Sequence, residues 1–141
     1  MIDREIAPIG EWYVAFYDGE QPHWWWRLCR PGFRHVVAFA YDAEQSVWLL
    51  YDVTLKQTHL RALSSAQMDA WVDALPASRT LLAFKVRDAS RPAFRFGFWC
   101  TPAVAHLVGV RTRALRPQAL CRDLLAQGAR PAFESQPNEK P

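Results

Sequence analysis

Three residues far apart in the chain could form one chemical unit: Cys100, His35 and Asp52. Cys100 stands inside FRFGFWCTPAVAHLVGV, Phe94 to Val110, where a strand-like apolar run gives way to a helical pattern. The start of a helix directs unbonded N–H groups and partial positive charge at whatever sits there. A thiol so placed gives up its proton more readily, and the N–H of Cys100 itself can donate to a developing oxyanion. Pro102 suits the first turn, because its missing N–H is one the helix does not use. Without a base nearby, a free cysteine simply packs as a small hydrophobe. The thiol becomes chemical only if a partner takes its proton.

His35 is the candidate base. It opens an apolar strand, RHVVAFAY, in which His35, Val37, Phe39 and Tyr41 share one face. SVWLLYDVT, Ser46 to Thr54, reads as the hairpin partner across a turn at Asp42–Gln45. A two- or four-residue loop sets His35 opposite Asp52, where a carboxylate would fix the ring tautomer and support its charge. A three-residue loop sets His35 opposite Val53 and turns Asp52 to the other face. Both registers are open from sequence.

The remaining elements must position this unit. EWYVAFYDG, from Glu11, reads as a first strand closed by Asp18-Gly19. A short helix or turn follows near Pro22 to Leu28, broken by Pro31-Gly32. Leu55 to Leu63 is a more polar strand, suited to an edge. Ser64 to Leu75 is a helix with a capping box from Ser64 to Gln67 and a face of Met68, Trp71, Val72 and Leu75. Arg79 to Val86 is a strand, Arg87 to Ala93 a polar loop, and Phe94 to Trp99 a strand or extended lead into the Cys100 helix, which Gly109 ends. A last helix starts near Pro117 and closes at Gly128, with Cys121 beside its apolar face. The fold class is α+β: a central antiparallel sheet with the cysteine-bearing helix packed on it. Residues 1–130 are expected to form one domain, and 131–141, polar and rich in Pro and Glu, a disordered tail.

Cysteine at a helix start, histidine on a strand and a polar third residue on the next strand resemble papain-like cysteine hydrolases, above all the small cell-wall amidopeptidases. In most of these the cysteine helix precedes the histidine strand. Here GFRHVVAFAYD and WLLYDVT come before WCTPAVAHLVGVRTRALRPQALCRDLLAQGA. That order resembles the circularly permuted branch, which includes the lecithin–retinol acyltransferase group and small phage proteins. The resemblance covers about Pro31 to Ala129. It implies a permuted papain-like fold with Cys100 as nucleophile, His35 as base and Asp52 as the orienting residue. It further implies a peptide or ester substrate, cell-wall peptide among them. Asp52 stands where the family often has His, Asn or Gln, and Trp99 where many relatives carry a small polar residue. A catalytically inactive binding protein on the same fold, such as a phage structural or assembly component, is the alternative.

Composition narrows the classes further. Half of the 141 residues are hydrophobic, which suits a globular chain. The net charge is +3, and the 14 Arg are scattered rather than clustered, which argues against a nucleic-acid surface. No apolar run suggests a membrane span, and the N-terminus lacks an apolar signal region, so the expected location is the cytoplasm. No cofactor or metal is expected. The glycines form no phosphate loop, and Cys29, Cys100 and Cys121 have neither disulfide nor zinc spacing. Cys29 could be a second thiol near the cleft but reads first as a packed or surface thiol, and Cys121 reads as structural. His59 sits in a polar strand, and His106 reads as solvated. Three successive tryptophans, Trp24, Trp25 and Trp26, cannot all face inward, so with His23 and Trp99 they could rim a substrate groove or plug the core.

Overall fold

A computed structural model of the protein describes residues 9–19, 24–86, 95 and 97–132. Its strands are β1 (Glu11–Tyr17), β2 (His35–Asp42), β3 (Val47–Val53), β4 (Thr58–Leu63), β5 (Thr80–Lys85) and β6 (Arg130–Pro131). The helices are α1 (Ser65–Asp73), α2 (Cys100–Val108) and α3 (Pro117–Ala126), with a 3-10 turn at Trp24–Leu28. The strands form one antiparallel sheet in the order β4-β3-β2-β1-β5-β6.

Each face of the sheet has its own core, as strand alternation requires. Val14, Phe16, Val36, Ala38, Ala40, Leu82 and Phe84 pack with Val104, Ala105 and Val108 of α2 and Leu120, Cys121 and Leu124 of α3. On the other face Ala15, Val37, Phe39 and Leu50 pack with Met68 of α1 and with Leu75. β2 is buried from Val36 to Ala40 because it is covered on both faces. β4, exposed up to Ala62, is the edge its polarity suggests.

Local signals fix the ends of the elements. Ser64 accepts from the Gln67 N–H, and the Gln67 side chain accepts from the Ser64 N–H at 2.9 Å, completing the capping box. α2 stops at Gly109, whose φ of 74° is left-handed and suits a residue without Cβ. Pro117 opens α3.

The structure corrects three expectations. The β2–β3 ladder runs from Ala38↔Tyr51 to Asp42↔Val47, so the turn is Ala43–Ser46 and neither expected register is adopted. Asp42 closes the ladder because its carboxylate accepts the N–H groups of Glu44 and Gln45, and Ser46 takes a φ of 54°. Extended outward, this register sets Val37, not His35, across from Asp52. Phe98 and Trp99 form a bend rather than a strand, while Phe94, Phe96 and the loop Arg87 to Ala93 lie outside the described residues. Pro131, expected in the tail, pairs with Leu82 in β6, and the Ala132 N–H bonds the Leu81 carbonyl at 2.9 Å. Residues 133–141 lie outside the described residues, as do His23 and the N-terminal lead-in before Ile9.

Two substitutions test this framework. Ser64→Ala removes one reciprocal cap and should lower stability by about 1 kcal/mol in urea unfolding. Leu120→Ala, at a position with no exposed surface, should cost about 2–5 kcal/mol. Equal, small losses would contradict the burial pattern.

Candidate active site

β2 outruns its neighbour at one end. Its last partner in β3 is Tyr51, opposite Ala38, so His35, Val36 and Val37 lie beyond the ladder. Asp52 and Val53 instead pair with His59 and Thr58 of β4. The sheet thus forks between β2 and β3, and His35 and Asp52 stand on the two sides of the fork.

His35 Nε2 and Asp52 Oδ1 are 2.7 Å apart. The two residues share a face because the turn has an even number of residues, and they meet diagonally rather than directly across. An ionised carboxylate only accepts, so Nε2 carries a proton toward Asp52 and Nδ1 is the ring nitrogen left to exchange a proton with the thiol. The ring is also held from β1. Tyr17, paired with His35 in the ladder, packs edge-on against it at 5.5 Å, and Trp71 of α1 packs edge-on against Tyr17 at 6.2 Å. The His35 side chain is only 17% exposed.

Cys100 is the first residue of α2, and Trp99 caps the helix without a side-chain bond. Pro102 has no N–H, and that of Ala103 bonds the Trp99 carbonyl at 3.2 Å. The free donors of the first turn are therefore those of Cys100 and Thr101. α2 packs on the face of β2 that carries Val36 and Ala38, so its start reaches the fork. There the sulfur and the His35 ring favour each other's charge, the main-chain N–H of Val36 also favours charge on the sulfur, and the buried Thr101 hydroxyl lies 4.0 Å from it.

These contacts set the charges. Burial opposes charge on the His35 ring, but hydrogen bonds to Asp52 and Cys100, and the charges on both, lift its pKa from 6.5 to about 10. Burial also opposes a Cys100 thiolate. The His35 hydrogen bond and charge, then Val36 and Thr101, overcome it and hold the thiol below its ordinary 9.0. Both shifts act in one direction, toward a thiolate beside an imidazolium.

The other predicted residues fall around this pair or away from it. Trp99 is part-buried, and its indole N–H donates to the Leu115 carbonyl at 2.8 Å. Its ring lies so close to Gly97 that a Cβ there would run into it. Trp24 is 78% exposed, whereas Trp26 is part-buried with the Arg34 guanidinium 5.4 Å from its ring. The side chain of Trp25 lies outside the described residues. The three tryptophans therefore do not act as one wall. Cys121 is buried among core residues, and His59 and His106 are exposed.

Sequence reasoning missed Tyr17, Val36 and Thr101, and it undervalued Cys29. Pairing β1 with β2 would have found Tyr17, since both strands were visible. Val36 acts through its main chain, which no side-chain pattern announces. The part-buried Cys29 thiol feels the charge of Cys100, so it belongs to the same locality. Among the described residues no three His, Cys, Asp or Glu side chains are grouped to hold a metal ion, and no helix is long and apolar enough to cross a membrane. No protein-family model matches the chain, and neither does any curated protein or solved structure.

Two measurements test the electrostatics. The rate of Cys100 alkylation by iodoacetamide should keep an acid limb below the ordinary thiol value, and His35→Ala should move that limb upward. An unchanged limb would contradict the pair. Because the folded pKa of His35 is raised, its contribution to stability is complete below about 6.5 and is lost as pH rises through about 10. Asp52→Asn should therefore destabilise the protein more near neutral pH than above about 10. The opposite trend would exclude the charged ring.

Proposed function

We propose that the protein is a thiol hydrolase or acyltransferase of the permuted papain-like kind, acting through an acyl-cysteine intermediate. The observation that carries this reading is a His35 ring that Asp52 holds at 2.7 Å, electrostatically coupled to Cys100 at the start of a helix. Each part has a step to perform. The Cys100 thiolate attacks the carbonyl carbon of an amide or ester. The oxyanion meets the N–H of Cys100, with that of Thr101 as the other free donor of the turn. The tetrahedral intermediate collapses, the bond to the amine or alcohol breaks, and the leaving group takes the proton from His35 Nδ1. Water or another acceptor then gives a proton to Nδ1 and attacks the thioester, which releases the acid or new ester and restores the thiolate. Asp52 keeps Nε2 protonated throughout, so one nitrogen serves as both acid and base.

Peptide bonds, including those of cell-wall peptide, fall within this chemistry. A second reading has its own support: Trp24, Leu28, Phe98 and Leu115 are each more than half exposed. Large exposed apolar side chains suit a binding surface on an inactive relative, such as a phage assembly protein.

An activated ester with a chromogenic leaving group separates the two. Intact mass should show an acyl adduct on Cys100, absent in Cys100→Ser. His35→Ala should slow its formation by about 10²–10⁴-fold. Equal, slow acylation of Cys29, Cys100 and Cys121 would leave the binding reading in place of the enzyme.

A further inference from the structure

Cys29 has no part in the acyl chemistry, yet its thiol is close enough to feel the charge of Cys100. Two hydrogen bonds make the connection. Arg116 Nη1 donates to the Leu28 carbonyl at 2.9 Å, and the Trp99 indole donates to the Leu115 carbonyl at 2.8 Å. Consecutive residues, Leu115 and Arg116, thus tie the residue before Cys100 to the residue before Cys29. The Cys29 N–H bonds the Trp26 carbonyl at 3.1 Å, which holds Cys29 at the end of its 3-10 turn.

We propose that Cys29 is the resolving partner of Cys100, so that a hydroperoxide converts the pair to a reversible disulfide. The two sulfurs differ in the way such a pair requires. Burial, then the charge of Cys100, raises the Cys29 thiol, against Arg116 and Arg34, which lower it. Cys100 is the thiol whose surroundings favour the thiolate, and thiolates are what peroxides oxidise first. Cys121, the third thiol, is sealed in the core beneath α3 and has no such access.

The steps balance. The Cys100 thiolate attacks one peroxide oxygen, the O–O bond breaks, and the departing oxygen takes the His35 proton. The sulfur is oxidised to a sulfenic acid and the peroxide is reduced to water or an alcohol. The Cys29 sulfur then attacks the Cys100 sulfur. The S–O bond breaks, and hydroxide leaves with the Cys29 proton as water. The disulfide blocks the nucleophile without destroying it, and an external dithiol restores both thiols.

The inference rests on the activated Cys100 of the proposed function, though not on its having an acyl substrate. The test is hydrogen peroxide treatment of the full chain, followed by intact mass and non-reducing peptide mapping. The wild type should lose two hydrogens and yield a Cys29–Cys100 cross-linked peptide that dithiothreitol reverses. Cys29→Ser and Cys29→Ala should instead accumulate sulfenic acid on Cys100, trapped by dimedone, and then over-oxidise. Wild-type protein that gains oxygens on Cys100 while Cys29 remains a free thiol would overturn the resolving role and leave the acyl chemistry standing. No oxidation of Cys100 in any of these proteins would overturn the activated thiol, and this inference with it.

Discussion

The charge pair between the Cys100 sulfur and the His35 ring is the interaction on which the rest of this site depends. Burial opposes charge on both groups. Each offsets that cost for the other, because their charges act on one another in a poorly solvated place. Asp52 biases the pair toward the charged form from the far side of the ring, and the Val36 N–H does so from the far side of the sulfur.

That pair is possible because the sheet is incomplete where it forms. A ladder continued to the end of β2 would have placed β3 main chain alongside His35 and Val36. Instead β3 turns its last residues, Asp52 and Val53, to β4 alone. The fork lets a helix packed on one face meet a histidine whose strand position belongs to the other. The two cores hold the fork open. α2 and α3 anchor the cysteine through Val104, Val108, Leu120 and Leu124, while α1 backs the histidine through Trp71 and Tyr17.

Much of this was legible in the chain itself. The α+β class, the buried central hairpin, the capped helix at Ser64 and the helix start at Cys100 follow from alternation, caps and breakers. The grouping of Cys100, His35 and Asp52 was also within reach, though for a reason that differs in detail. The turn closes one pair later than expected because Asp42 serves both as the last ladder residue and as the acceptor for the turn's N–H groups. The loop still has an even count, so Asp52 keeps its face and reaches His35 along the diagonal. Parity survives such a slip, whereas exact partners do not. Cys29 was harder to place, because the ties between its neighbourhood and that of Cys100 are side chains of Arg116 and Trp99 reaching across to main-chain carbonyls. Contacts of that kind leave no periodic trace in a sequence.

The state of the His35 ring can be observed directly. Carbon-13 NMR of the histidine Cε1 positions, assigned by His35→Ala, reports protonation of each ring as pH is raised. The thiolate–imidazolium account predicts that His35 stays charged well above 6.5, titrating near 10, and that Cys100→Ser lowers this value. A His35 ring already neutral at pH near 7 in the wild type would contradict it.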